Sequence, residues 1–178
     1  MNPEIQFWQA LVVCVSAVFT QNMLLSYFLG LCPFLGVSRE VKSAFGLGIA
    51  VVFVMTCTVG INWIVYHKIL LPLKLEFFRF IVFIIVIAAF VQVVEMLIER
   101  FSPALYQKLG VFLPLITVNC AILGACLFMV IRDYSFIVSV AYGFGSGVGW
   151  FLAIIAMAGI RGRLDNSKIP RGLQGPGI

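Results

Sequence analysis

The hydrophobic positions of this chain form long, nearly unbroken runs that short polar segments separate. Apolar runs of about 18 residues or more are typical of membrane-spanning helices. The pattern therefore predicts an all-α polytopic membrane protein with one transmembrane domain over residues 1–178. We place five spans, at Phe7 to about Val37, about Ala44 to Tyr66, Phe80 to about Ile98, Leu109 to Ile131 and Phe136 to Ile160.

The composition agrees with a membrane protein. The chain is 62% hydrophobic and 11% charged, whereas soluble domains carry about a quarter charged residues. We predict no cleavable signal peptide, because the N-terminus carries Glu4 and lacks both a basic region and a small-residue cleavage site. The net charge of +5 comes from basic loops. We assign it to membrane topology and not to nucleic-acid binding.

The loop residues predict an orientation. Lys and Arg collect on the side that the positive-inside rule assigns to the cytoplasm, so the N-terminus is expected outside. The cytoplasmic group is Arg39, Lys42, Arg100, Lys108, Arg161, Arg163, Lys168 and Arg171. The opposite group is Lys68, Lys74, Arg79 and Arg132.

The first hydrophobic run is longer than the roughly 20 residues that cross a bilayer. It contains Gly30, Pro33 and Gly36, and proline removes a backbone donor and clashes with the preceding helical turn. We expect a broken helix with its interruption around Cys32. The fourth span has Pro114 ahead of Cys120 and is expected to break in the same way. Irregular backbone at membrane depth requires surrounding protein.

The two breaks carry a repeated motif. "LCPFLG" and "NCAILG" both read Cys-x-x-Leu-Gly, and "AFGLG" and "AYGFG" follow them downstream. Broken helices three spans apart would enter from opposite faces, which defines an inverted repeat with a midplane functional site. We expect a first repeat over about 1–98 and a second over about 99–178. A 3+3 repeat needs a sixth helix, which we expect to lie outside this chain.

Two cysteines at the midplane could serve as ligands. A thiolate binds metals, and Cys32 and Cys120 would supply half of the ligands of a [2Fe–2S] cluster or a structural zinc site. A partner chain would supply the other half. Packing is the ordinary role of cysteine in an apolar segment, and a disulfide is a further alternative. For Cys14, Cys57 and Cys126, which lack the repeated motif, we predict packing.

Other polar residues in the spans have structural and functional interpretations. Glu95 is a candidate for an ion path, although it lies near the end of its span and could reach the membrane interface. Asn22 and Asn119 are expected to cap broken helices or to bond freed backbone groups. Gln21 and Gln92 are two further polar residues that lie within the spans.

The remaining motifs point to structure and not to a complete enzyme. The glycines of "YGFGSGVGW" at four-residue spacing predict close helix packing and do not form a phosphate-binding loop. His67 is expected to be a solvated loop residue. The sequence contains no nucleotide-binding fold, so a donor such as NADH would bind to another subunit.

Four segments carry a resemblance to a known family. They are "LGLCPFLGVS", "FGLGIAVVFVMT", "VQVVEMLIERFSPALYQKLGVFLPLITVNCAILG" and "RDYSFIVSVAYGFGSGVGW". Together they resemble the paired membrane subunits of the Na+-translocating NADH:quinone oxidoreductase and of the Rnf ferredoxin:NAD+ oxidoreductase. The last segment is more similar to the family member of the quinone reductase, and "LCPFLGVS" to the family member of the Rnf complex.

The resemblance implies a fold and a function. Family members have six helices in an inverted repeat and pair with a homologous subunit of opposite orientation in the bacterial inner membrane. It implies that Cys32 and Cys120 bind the iron of a [2Fe–2S] cluster shared with that partner. The cluster would relay electrons between other subunits that carry flavin and iron–sulfur centres, coupled to Na+ or H+ movement. The alternative is an inverted-repeat small-solute or ion transporter in which the cysteines are structural.

Overall fold

The computed structural model describes residues 3–38, 41–101 and 113–165. Within these ranges all regular secondary structure is helical. The helices are α1 (Pro3–Val18), α2 (Met23–Tyr27), α3 (Leu31–Val37), α4 (Val41–Val65), α5 (Arg79–Phe101), α6 (Leu113–Thr117), α7 (Cys120–Ile131) and α8 (Phe136–Asp165). A π-helical turn (Tyr66–Leu70) and a 3₁₀ turn (Glu76–Phe78) connect α4 to α5.

Four helical stretches of the described chain are long and apolar enough to cross a membrane. They are Val41–Leu70, Glu76–Leu97, Pro114–Ile131 and Phe136–Arg163. They correspond to the second to fifth predicted spans. The first predicted span is divided among α1, α2 and α3, of which α1 is a shorter apolar helix. The protein is therefore an all-α polytopic membrane protein, as the sequence predicts.

The first run is broken as predicted, but the break precedes Cys32. α1 ends at Val18, and α2 ends at Tyr27, with Phe28 as its C-cap at a left-handed φ of 56°. Gly30 is the N-cap of α3 and has a φ of +83°. Pro33 lies in the first turn of α3, where a missing backbone donor costs no helical hydrogen bond. The left-handed residues at 28 and 30 stop the helix, and Pro33 does not.

The contacts fix the relative direction of the helices. At one end a cavity of about 750 Å³ brings together Trp8 of α1, His67 after α4 and Ser135 before α8. At the other end the Arg161 guanidinium of α8 donates to the Leu35 carbonyl of α3 (3.0 Å). Thus α1 and α3 cross in the same direction as α8, whereas α4 crosses in the opposite direction.

The glycine ladder of α8 packs closely against two helices, which confirms the prediction from its spacing. A Cβ atom on Gly145 would lie 2.5 Å from the Cys14 carbonyl oxygen of α1. On the other face of α8, a Cβ on Gly147 would lie 2.9 Å from the Val52 Cα of α4. Backbones this close exclude side chains. The ladder therefore places α8 between α1 and α4.

The basic residues separate to the two ends that these contacts define. Lys42, at the start of α4, shares one end with Arg161 and Arg163 of α8, and α5 carries Arg100 toward it. Lys68, Lys74, Arg79 and Arg132 lie at the other end, beside the start of α1. The other predicted cytoplasmic residues, Arg39, Lys108, Lys168 and Arg171, lie outside the described residues.

Candidate cofactor site at the two helix breaks

The two helix breaks contact each other. The Gly30 N–H donates a hydrogen bond to Cys120 Sγ at 3.0 Å. A Cβ atom on Gly30 would lie 3.0 Å from the Ala121 Cβ, and one on Gly124 would lie 2.6 Å from the Leu29 Cδ1. The turn that leads into α3 therefore packs on the first turns of α7. The structure thus brings together the two segments that carry the repeated cysteine motif.

Both motif cysteines lie at the N-terminal end of a helix. Cys120 is the first residue of α7, and Cys32 lies in the first turn of α3. Unpaired backbone N–H groups and the helix dipole make such ends partly positive.

Asparagine side chains cap the helices after the breaks, as predicted. The Asn119 Oδ1 accepts from the Ala121 N–H (3.0 Å), and the Asn22 Oδ1 accepts from the Leu24 N–H (3.0 Å). The Asn22 Nδ2 also donates to the Val18 carbonyl oxygen (3.1 Å). The buried Asn119 Nδ2 has no hydrogen-bond partner among the described residues. Both caps satisfy backbone N–H groups at the starts of helices within the membrane, where no water is available to accept these hydrogen bonds.

Replacing the Asn119 cap should weaken the start of α7. We expect Asn119→Ala to lower the free energy of unfolding by about 1 kcal/mol, the usual cost of losing an N-cap acceptor. Asn119→Ser keeps an acceptor oxygen and should retain most of the stability. Thermal unfolding of the purified complex in detergent measures both. Equal losses in the two variants would contradict a capping role.

The site faces outward from the chain. Cys32 is exposed and Cys120 is half-buried, and all five cysteines are unpaired thiols. Among the described residues, no three His, Cys, Asp or Glu side chains form a group that could hold a metal ion. Two thiolates leave a four-ligand iron or zinc site half-complete. A metal bound here would need ligands from outside the described part of this chain.

The other cysteines lie elsewhere. Cys126 is buried inside α7, where its Sγ accepts a hydrogen bond from the Asn62 Nδ2 (3.2 Å). Cys14 and Cys57 are half-buried in α1 and α4. Asn62 was missed by the sequence analysis, although an amide in the apolar run "VGINWIV" is a visible signal. The buried position of Cys126 agrees with packing, and packing stays a prediction for Cys14 and Cys57.

A second polar cluster, around Arg132, was also missed. Its guanidinium hydrogen-bonds the Gln21 side chain and the hydroxyls of Tyr134 (3.1 Å) and Tyr27 (3.3 Å). Burial alone would lower the pKa of Arg132, but the hydrogen bond to Tyr134 and the nearby phenol oxygens raise its pKa above the ordinary value. Arg132 therefore stays charged and ties the end of α7 to the first helix break.

Removing this charge should destabilise the fold. We expect Arg132→Gln to lower the free energy of unfolding by about 1–2 kcal/mol, because hydrogen bonds to charged groups are worth more than neutral ones. Arg163→Gln is the matched control, since Arg163 is exposed on α8 and should change little. Chemical unfolding in detergent compares the two. Equal stability of both variants would refute the structural role of Arg132.

The positions of three further polar residues can be compared with the sequence predictions. His67 is not a solvated loop residue: it belongs to the π-helical turn, its ring stacks on Trp63 (centroids 4.1 Å apart), and its Nδ1 lies 3.1 Å from the Trp63 carbonyl oxygen. Glu95 is exposed to an intermediate degree on α5, and Gln92 is exposed on the same helix. The role of Glu95 in an ion path stays a prediction.

The fold and the site define a class: a polytopic helical membrane protein with two broken helices that contact at a cysteine. Comparison with known proteins places the chain more closely. Residues 10–176 match the Rnf-Nqr family of membrane-protein subunits. The E subunit of the Na(+)-translocating NADH-quinone reductase of Serratia proteamaculans (strain 568) is 57% identical over 170 residues, covering 92% of this chain and 86% of that protein. The chain therefore belongs to the Rnf-Nqr family, as the sequence resemblance implied.

Proposed function

We propose that this chain is an electron-transfer subunit of an ion-translocating membrane oxidoreductase. In this proposal Cys32 and Cys120 supply half of the ligands of a [2Fe–2S] cluster within the membrane. The observation that carries the proposal is the contact between the two breaks, where the Gly30 N–H donates to Cys120 Sγ at 3.0 Å. N–H···S hydrogen bonds of this kind tune the sulfur ligands of iron–sulfur clusters.

The residues present fit such a cluster. Thiolates are the soft ligands that iron–sulfur clusters require, and cysteine is the residue that supplies them at both helix breaks. Asn119 is 3% exposed and adds a buried N–H₂ group beside Cys120 that has no partner among the described residues. When bound, the cluster supplies one-electron redox chemistry. The alternative of zinc offers none, so only the cluster makes this site a relay.

The surrounding residues hold the site and exclude water on the side that faces this chain. Trp150, Ala121 and Ile122 are fully buried behind Cys120, and they pack in the same core cluster as Leu24 of α2. A dry, fixed shell keeps the sulfur positions constant, which lowers the reorganisation that electron transfer would otherwise require. α7 and the Gly30 turn orient the thiolate of Cys120.

The exposure of Cys32 supports a partner subunit. An unpaired thiolate facing lipid would be very costly, and Phe28 and Val118 beside the breaks are also exposed. We infer that a homologous subunit of opposite orientation covers this surface and contributes the missing ligands. The proposal also includes an inverted repeat, with halves at about 1–98 and 99–178. Its support is that α3 and α7, the helices after the two breaks, run in opposite directions and that the breaks contact each other.

The family and the relative support the proposed placement of this chain in a complex. The Serratia relative is named as part of a Na(+)-translocating NADH-quinone reductase, which favours Na+ and the quinone-reductase type for this chain. Flavins and the NADH site would lie on other subunits. We place the chain in the bacterial inner membrane with the N-terminus outside, because the end that carries Arg161 and Arg163 has the basic excess in the sequence.

Metal analysis of the purified complex tests the proposal. We expect the double variant Cys32→Ser/Cys120→Ser to contain two iron and two labile sulfide fewer per complex than the native protein, with reduced visible absorbance. A double variant of Cys14 and Cys57 to Ser is the matched control and should keep the full content. Equal iron in the native complex and in the Cys32/Cys120 variant would overturn the assignment.

A further inference from the structure

The turn at Gly30 directs two backbone groups to two different partners. Gly30 has a φ of +83°, a conformation that favours glycine. Its N–H donates to Cys120 Sγ (3.0 Å), and its carbonyl oxygen accepts from the Trp150 Nε1–H (3.3 Å). One residue thus connects α7, α8 and the start of α3. Any rotation of this turn would change both hydrogen bonds together.

Trp150 is placed to hold the turn. It is fully buried in α8, and a buried indole N–H requires an acceptor. A Cβ atom on Gly30 would lie only 2.6 Å from the Trp150 Nε1, so the indole lies directly against the Gly30 backbone. The large ring also prevents the turn from moving toward α8, because packed interiors resist small displacements.

We propose that Trp150 is a positioning residue that sets the reduction potential of the cluster by holding the Gly30 N–H on Cys120 Sγ. The inference rests on the proposed function, because it concerns the same sulfur ligand. An N–H donor stabilises the negative charge that the cluster gains on reduction, so this hydrogen bond raises the reduction potential. Loss of the indole N–H frees the turn and weakens the bond.

The test is a redox titration of the purified complex, followed by the EPR signal of the cluster. Trp150→Phe removes the N–H and keeps an aromatic ring. We expect the signal to remain and its midpoint potential to become more negative. Trp63→Phe is the matched control, because the Trp63 Nε1 also donates to a backbone carbonyl, that of Tyr134 (2.9 Å), but away from the cysteines. Its midpoint potential should equal that of the native complex.

The outcomes separate this inference from the proposed function. If Trp150→Phe keeps the native potential, or if Trp63→Phe shifts it equally, the positioning role of Trp150 is wrong while the cluster assignment stands. If the native complex shows no cluster EPR signal, or if the signal persists when Cys120 is replaced by Ser, the proposed function fails and the inference fails with it.

A second measurement does not depend on the folding of a variant. Native complex labelled with [¹⁵N]glycine should show a glycine nitrogen coupled to the reduced cluster in pulsed EPR, because the Gly30 nitrogen donates to a ligand sulfur. Trp150→Phe, where it assembles, should weaken this coupling. Absence of a glycine coupling in the native complex would overturn the inference.

Discussion

Replacement of Cys120, a cluster ligand in the proposed function, by Ser is expected to reduce electron transfer through the complex more than about 100-fold. Loss of groups that only support a metal ligand already costs about 10–100-fold, and loss of the ligand itself should cost more. A hydroxyl oxygen is a poor substitute, because iron–sulfur clusters select soft thiolates. Packing should be preserved, since Ser is close in size to Cys. In a complex of the proposed quinone-reductase type, NADH-driven quinone reduction and Na+ uptake in membrane vesicles should both fall.

Cys126→Ser is the matched control for this prediction. It makes the same substitution in the same helix, and a hydroxyl can still accept the hydrogen bond from the Asn62 Nδ2. We expect near-native rates from this variant once they are normalised to the amount of assembled complex. Equal losses in the two variants would assign the effect to the packing of α7 and not to ligation.

The second large effect is expected at the contact between α1 and α8. In Gly145→Ala the new Cβ would lie 2.5 Å from the Cys14 carbonyl oxygen and 3.0 Å from its Cα. Both atoms belong to the backbone, so no side-chain rotation relieves the overlap and the helices must separate. Overpacking of this kind costs about 1–3 kcal/mol. The melting temperature of the complex in detergent should therefore fall clearly.

Gly159→Ala offers a control on the same helix. A Cβ atom there would meet nothing within 4 Å among the described residues. We expect no loss of stability, or a gain of up to about 1 kcal/mol from the higher helix propensity of Ala. Should the two variants melt at the same temperature, the close approach of α1 and α8 would be wrong.

The helical spans and the packing of the glycine ladder could be predicted because they depend on local patterns. Length and apolarity define a span, and small residues at four-residue spacing define a close contact. The caps at Asn22 and Asn119 were predicted for a similar reason: an amide beside a helix break has backbone groups within reach. These features need no knowledge of which helices are neighbours.

The position of the first break needed tertiary information. Phe28 adopts a left-handed conformation that its residue type does not favour, so the sequence pointed to Pro33 instead. The Phe28 ring faces outward at 70% exposure, while its backbone N–H caps α2 on the carbonyls of Met23 and Leu24. Because the propensity of Phe disfavours this conformation, we attribute it to the packing of the turn on α7.

The Arg132 cluster and the Asn62–Cys126 pair could not be predicted either. Their partners are far apart in sequence, as with Arg132 and Gln21, or Asn62 and Cys126. A single sequence shows that these polar side chains lie within apolar segments. It does not show which of them form hydrogen bonds with each other in the fold. The repeated motif predicted a site where the two broken helices lie close together, but not the hydrogen bond from the Gly30 N–H to Cys120 Sγ.

EPR of the reduced, purified complex distinguishes cluster ligation from packing when native protein is compared with the Cys32→Ser variant. Because other iron–sulfur centres can overlap, the difference spectrum carries the information. We expect loss of one [2Fe–2S]-type signal, unchanged signals from the other centres, and a fully assembled complex. An unchanged spectrum with normal turnover would contradict this expectation, return Cys32 and Cys120 to packing roles, and favour the transporter alternative.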